Sequence, residues 1–171
     1  MITRSHVKGD APSTALYSDC ELYRYALTRT WDESRKRLLY IMLNPSKATE
    51  IANDPTIERC ERRARALGYG AFRACNIFAL RETDPAALRK AAEPTGREND
   101  RLLLESVSWA DDILCAWGSH GEHRNRGAEV SELLKQTGRP LLCLGQTRAG
   151  FPRHPLYIGY GTRPEPWPAE V

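Results

Sequence analysis

Six apolar residues, Leu38-Leu39-Tyr40-Ile41-Met42-Leu43, follow one another without a polar break and stop at Asn44-Pro45-Ser46. A run with no alternation predicts a strand buried on both faces, as in the middle of a parallel sheet. Pro45 has no N–H to give to a ladder, so the strand ends at about Asn44. Apolar runs at 72–80, 112–117 and 140–145 predict three more buried strands. Between these runs the apolar positions recur at helical spacing. Asp54-Pro55-Thr56 opens a helix with Asp54 as N-cap, and Ile57, Cys60, Ala64 and Leu67 form its inner face. Thr83-Asp84-Pro85 repeats the start signal ahead of a short helix over 86–91. Residues 97–109 turn Leu102, Leu103, Val107 and Trp109 inward, and residues 126–136 do the same with Val130, Leu133 and Leu134.

Residues 22–31 interleave aromatic and polar side chains, which predicts a half-exposed strand. The polar turn at 32–36 then makes that strand the antiparallel neighbour of the one beginning at Leu38. Residues 1–13 are polar and carry Gly9 and Pro12, a loose lead-in; the proline-rich segment 159–171 is an extended surface tail. Strands alternating with helices give the rhythm of a parallel sheet. The expected fold is α/β and three-layered, with a mainly parallel four-stranded sheet and an added antiparallel N-terminal strand. One domain is expected over residues 1–171, with its core at about 15–160 and extended ends at 1–14 and 160–171.

Three polar clusters follow strand ends: Asn44-Pro45-Ser46, Ser119-His120 and Arg153-His154-Pro155. In a parallel sheet those ends share one side, where open α/β sheets bind their ligands. Asn44 offers a donor and an acceptor without charge, which suits holding a water. His154 can give a hydrogen bond or a charge to a developing anion. Together they suit hydrolysis of an N-glycosidic bond, in which a cation-like sugar forms and the base leaves as an anion. Asn76, polar in the middle of an apolar strand, must find partners, by pinning loops or by facing a ligand. Ser46 with His154 would suit a serine nucleophile, but no G-x-S-x-G elbow is present. His120 and His123 lack a third ligand for a metal, and neither a P-loop nor G-x-G-x-x-G is present, so no metal and no cofactor is expected.

Five cysteines, widely spaced and mostly inside apolar segments, point to reduced buried thiols, and no C-x-x-C pair suggests a zinc or iron–sulfur site. No apolar run is long enough to span a bilayer, and residues 1–10 contain no signal-like stretch. A cytoplasmic protein with no membrane partner is therefore expected. The net charge of +3 permits nucleic-acid contact without requiring it. Arg59, Arg62, Arg63 and Arg65 on one helix read first as a solvated face and second as a nucleic-acid face.

Tyr23-Arg24-Tyr25-Ala26-Leu27-Thr28-Arg29, Met42-Leu43-Asn44-Pro45-Ser46, Asn53-Asp54-Pro55-Thr56-Ile57, Asn76-Ile77-Phe78-Ala79-Leu80-Arg81, Trp117-Gly118 and Arg153-His154-Pro155-Leu156-Tyr157 resemble a bacterial and phage family, domain of unknown function 1643. The likeness extends over roughly residues 20–168. More distantly, Leu43-Asn44-Pro45-Ser46 is similar to the first motif of the mismatch-specific uracil-DNA glycosylases, and Arg153-His154-Pro155-Leu156 to the second motif of other branches of that superfamily. This resemblance implies a uracil-DNA-glycosylase-like sheet and a DNA-repair type of base release. It would have Asn44 position the attacking water, His154 sit at the departing base and Asn76 read the base edge. The remaining substrate contacts would come from Pro45, Ser46, Asp54, Ser119, His120 and Arg153. The chain departs from the motifs at Met42 and Ser46, where glycines stand, and at Leu156, where a phosphate-touching serine stands. The expected partner is a nucleic acid or nucleotide substrate. Two alternatives are a binding module using the same pocket without chemistry, and a Ser46–His154 hydrolase of another small substrate.

Overall fold

The computed structural model describes residues 1–169. It is an α/β protein with one mixed eight-stranded sheet and four α-helices. The first hairpin is β1 (Ile2–Lys8) and β2 (Ala11–Tyr17), followed by β3 (Arg24–Thr30) and β4 (Arg37–Met42). Helix α1 (Pro55–Ala66) leads to β5 (Ala71–Asn76). Helices α2 (Pro85–Lys90) and α3 (Asn99–Trp109) lead to β6 (Asp112–Cys115), and α4 (Arg126–Lys135) to β7 (Leu141–Cys143). A two-residue β8 (Glu165–Pro166) closes the chain, and the spatial order is β1-β2-β3-β5-β4-β6-β7-β8.

Strand β4 lies between β5 and β6 and is parallel to both, with Met42 level with Asn76 and Ile41 with Cys115. β7 continues the parallel set beside β6. The unbroken apolar run of β4 serves two cores. Leu39, Ile41 and Leu43 pack with Leu103 and Val107 of α3 and with Val130 and Leu134 of α4. Leu38, Tyr40 and Met42 pack on the other face with Ile57, Cys60 and Ala64 of α1. Helix α1 starts as its sequence dictates: Asp54 Oδ1 accepts the Ile57 N–H at 2.8 Å, and Pro55 occupies the first turn.

Three expectations are corrected. Residues 1–13 are not a loose lead-in, because β1 and β2 pair over seven positions. Alternate residues of β2, Ala11, Ser13, Ala15 and Tyr17, are buried, a period of two written in small residues. Strand β3 does not neighbour β4 but pairs antiparallel with β5, Leu27 opposite Ala74. The crossing is made at Gly70, whose carbonyl accepts the N–H groups of Trp31 and Asp32. A Cβ on Gly70 would lie 1.8 Å from the Asp32 oxygen, so only glycine admits this approach. Finally, the C-terminal segment is not simply a surface tail. β8 pairs with β7, and Trp167 is buried edge-on against Trp117 with ring centroids 5.1 Å apart. Residues 170–171 of the expected tail lie outside the described residues.

Four of the five cysteines are buried, Cys20 is exposed, and all five thiols are free. Among the described residues no helix is long and apolar enough to cross a membrane.

Candidate functional site

The carboxyl ends of β4, β5 and β6 face a common region. Asn44, just past β4, donates its amide N–H groups to the carbonyls of Glu82 (2.7 Å), Pro45 (3.1 Å) and, more weakly, Leu80 (3.4 Å). Its nitrogen is thus committed to loop backbone, and its Oδ1 is left as an acceptor. Asn76 ends β5, is 1% exposed, and has no partner for its Nδ2. Its carbonyl is held by Asn99 Nδ2 at 2.8 Å, which also holds the Ile77 carbonyl at 3.0 Å. Asp54 does more than cap α1: its Oδ2 accepts the Ala48 N–H at 3.2 Å, so one carboxylate joins the helix start to the loop before it.

His154 precedes Pro155, and its Nδ1 accepts the Leu156 N–H at 3.3 Å. The proton of the neutral ring therefore sits on Nε2, which points away as a donor. Burial pushes the His154 pKa down to about 4; Asp54 opposes this and His120 adds to it. The ring is neutral at physiological pH. Gly118, with φ of 71°, holds the left-handed backbone that turns the chain after β6 beside His154.

Asn44, Pro45, Ser46, Asp54, Asn76 and His154 all line one cleft of about 30 Å³. That is the space of roughly one water molecule. Ser119, His120 and Arg153 do not reach it. They line an adjoining groove of about 250 Å³, which shares His154 with the cleft and has Leu43, Trp117 and Ile158 among its walls. The two histidines of the 119–125 turn stay apart in role: His120 Nδ1 meets Arg89 Nη2 at 3.1 Å, whereas the His123 ring packs on Phe78. Among the described residues no three His, Cys, Asp or Glu side chains gather to hold a metal.

Sequence reasoning missed Arg24. This first residue of β3 is 2% exposed, lines the cleft, and donates from Nη1 to the Ala48 carbonyl at 2.7 Å. Its Nε has no partner. Burial lowers its pKa to about 10, with Asp54 pulling the other way, so it stays charged. The available signal was an arginine set between Tyr23 and Tyr25 in a strand. Arg29, on the same strand, is fully buried and grips Asn53 Oδ1 (2.6 Å), the Thr49 carbonyl (2.9 Å) and the Ser13 hydroxyl. The loop 47–53 is therefore clamped rather than freely solvated.

The arginines of α1 also depart from the solvated-face expectation. Arg63 is buried and donates to the Ile158 (3.0 Å) and Thr162 (2.8 Å) carbonyls, and Arg59 donates to Ile158 at 2.6 Å. The Tyr160 ring lies under the guanidinium groups of Arg59, Arg62 and Arg63. Of the four, Arg62 alone is exposed. These side chains hold the segment that follows His154.

A larger cleft of about 860 Å³ lies beside Cys20, Tyr23, Tyr25 and Gly96. It contains none of the strand-end residues. Two of its polar groups are already paired, Tyr23 with the Glu93 carbonyl at 2.6 Å and the N-terminal amine with Asp19. The smaller strand-end cleft, with its unpartnered buried donors, is the better candidate for chemistry.

A family model described as "Protein of unknown function (DUF1643)" matches residues 24–156, and the chain belongs to that family. No curated protein and no solved structure matches the chain.

Proposed function

We propose that this member of the family hydrolyses an N-glycosidic bond in a nucleic acid or nucleotide, on a uracil-DNA-glycosylase-like sheet. One observation carries the reading: Asn44, Asp54, Asn76 and His154 surround a water-sized cleft, and His154 also lines a groove large enough for part of a flat ligand. A water donates two hydrogen bonds and accepts two. Asn44 Oδ1 is a ready acceptor, and the unpartnered Asn76 Nδ2 and Arg24 Nε are ready donors. The water oxygen attacks the anomeric carbon as the bond to the base nitrogen breaks. The departing electron pair stays on the base, where the neutral His154 N–H stabilises it. The proton lost by the water passes to Asp54, whose carboxylate lines the cleft. The cleft is too small for a planar base, so Asn76 serves the water in this reading and the base lies in the groove.

The commitment of the Asn44 amide and of both Asp54 oxygens to backbone groups favours a second reading, a binding module without chemistry. A Ser46–His154 hydrolase has less support, because Nδ1 of His154 is occupied and Nε2 carries the proton, leaving no lone pair for Ser46.

Single-turnover release of free base, from oligonucleotides, nucleosides and nucleotides with normal, deaminated and modified bases, tests the proposal. His154→Ala should slow release by about a hundred- to a thousandfold, the usual effect of losing one preorganised donor. Tight binding of a base-containing ligand with no base released would establish the binding module instead.

A further inference from the structure

The groove beside His154 has a chemistry of its own. No carboxylate lines it, in a chain with 22 acidic residues. Its polar lining is Arg153, His120, His154 and the hydroxyls of Ser119 and Thr147. A second guanidinium, Arg89, is drawn to the rim by its 3.1 Å contact with His120 Nδ1. A guanidinium can only donate, so His120 Nδ1 accepts and its Nε2–H is free to face a ligand. Neither Arg89 nor Arg153 is ion-paired among the described residues. The rest of the lining is apolar: Leu43, Trp117 and Ile158 are buried, and the Tyr157 ring stands 90% exposed at the edge.

An apolar wall with an exposed aromatic ring suits the face of a planar heterocycle, and a cationic rim free of carboxylates suits phosphate oxygens. Asp84, which caps the helix carrying Arg89, and Glu122, two residues past His120, are both exposed and would repel a continuing phosphodiester chain. The overall charge of +3 gives no broad basic surface to offset them. We propose that this groove binds a free nucleoside monophosphate, with the phosphate at Arg153, Arg89 and His120 and the ring against the exposed face of Tyr157. The inference rests on reading the strand-end cluster as the working site, and it narrows the substrate from nucleic acid or nucleotide to the free nucleotide.

Calorimetric titration of the full chain with uridine, inosine, their 5′-monophosphates and a single-stranded oligonucleotide tests it. At least one monophosphate should bind roughly ten- to a hundredfold more tightly than its nucleoside, the worth of hydrogen bonds to a charged group. Arg153→Gln should erase most of that difference and leave nucleoside affinity unchanged. Tyr157→Ala should weaken nucleoside and monophosphate alike, by about tenfold. Both side chains are exposed, so neither variant threatens the fold. Equal affinity for nucleoside and monophosphate, indifference to Arg153→Gln, or no binding of any probe would overturn the inference. So would an oligonucleotide that binds more tightly than the monophosphate with a steep salt dependence, which would mark a polymer-binding groove. Base release measured in parallel separates the two readings. Tight monophosphate binding without release removes the hydrolysis and keeps the groove; release from nucleosides with no preference for phosphate does the reverse.

Discussion

Replacing Asn44 by aspartate exchanges one nitrogen for oxygen and inverts the hydrogen bonding at the end of β4. In the native chain the amide nitrogen has two hydrogens, and they go to the Glu82 and Pro45 carbonyls at 2.7 and 3.1 Å, with Leu80 at 3.4 Å as a weaker third. Asn44→Ala loses those two bonds, at about 0.5–1.5 kcal/mol each, a destabilisation of about 1–3 kcal/mol. Asn44→Asp keeps the shape but points an ionised oxygen at three carbonyl oxygens. It should cost more than alanine at pH 7.5, about 3 kcal/mol or more. Near pH 4 the two variants should converge, because a protonated carboxyl can donate one bond to Glu82. The sign follows from linkage: the folded-state pKa of the new carboxyl lies above its unfolded value, so stability is full at low pH and is lost as pH rises. Urea unfolding followed by tryptophan fluorescence, each variant against the native chain at the same pH, measures this. Wild-type stability of Asn44→Asp at pH 7.5 would refute the assignment of the amide nitrogen to the loop, and with it the claim that Oδ1 is free for the cleft.

Two further outcomes are expected. His154 takes up its proton only near pH 4 when folded but at about 6.5 when unfolded, so between these values the unfolded chain binds more protons and stability falls as pH falls. Relative to His154→Gln the native chain should lose about 2–3 kcal/mol over that window, allowing for the open part of the ring, and base release should hold level down to about pH 5 before it drops; a profile that breaks at 6.5 would contradict the buried neutral ring. Arg29→Met should destabilise the fold by about 3 kcal/mol or more and speed hydrogen exchange in residues 48–53, because Asn53, Thr49 and Glu61 lose a buried cation; unchanged exchange there would show that the loop holds itself.

What could be read in advance follows from how far each signal reaches along the chain. The central place of β4 was legible because a strand buried on both faces must be apolar at every position, and its residues do divide between the two cores. The start of α1 was legible because Asp54 and Pro55 act within one turn. The partner of β3 was not. The local turn at 32–36 favours a hairpin with β4, but the decision lies at Gly70, where a missing Cβ admits the Asp32 carbonyl. The two-residue β8 is too short to show a period, and what fixes it is the distant contact of Trp167 with Trp117. At the site, Asn44 and Asn76 were legible as candidates because polar residues that end or interrupt apolar strands need a reason to be there, and His154 because it stands in a polar cluster after the fourth parallel strand; all three line one cleft. Arg24, Arg29 and Arg63 were not, because an arginine in a half-exposed strand or on a helix reads as surface. Each of them donates to a backbone carbonyl 20 to 99 residues away, which carries no sequence signature.

Those arginines explain how a cleft made from irregular backbone can be held still. Beyond the strand ends the chain has no ladder to satisfy its carbonyls, and a buried carbonyl without a donor is costly. A guanidinium offers five N–H groups in a fixed plane and can satisfy several carbonyls from one point. Arg24 and Arg29 reach from β3 to the loop that ends at Asp54. Arg126 joins Asn99 on the Ile77 carbonyl, just beyond Asn76. Arg59 and Arg63 reach from α1 to the Ile158 carbonyl, four residues past His154. The helix that Asp54 caps therefore also anchors the segment carrying His154. Both sides of the cleft hang on α1, so the separation of carboxylate and imidazole is set by a rigid helix rather than by the loops that display them. Such a frame is what a site needs if it is to hold one water and one donor in fixed relation without rearranging as a bond breaks.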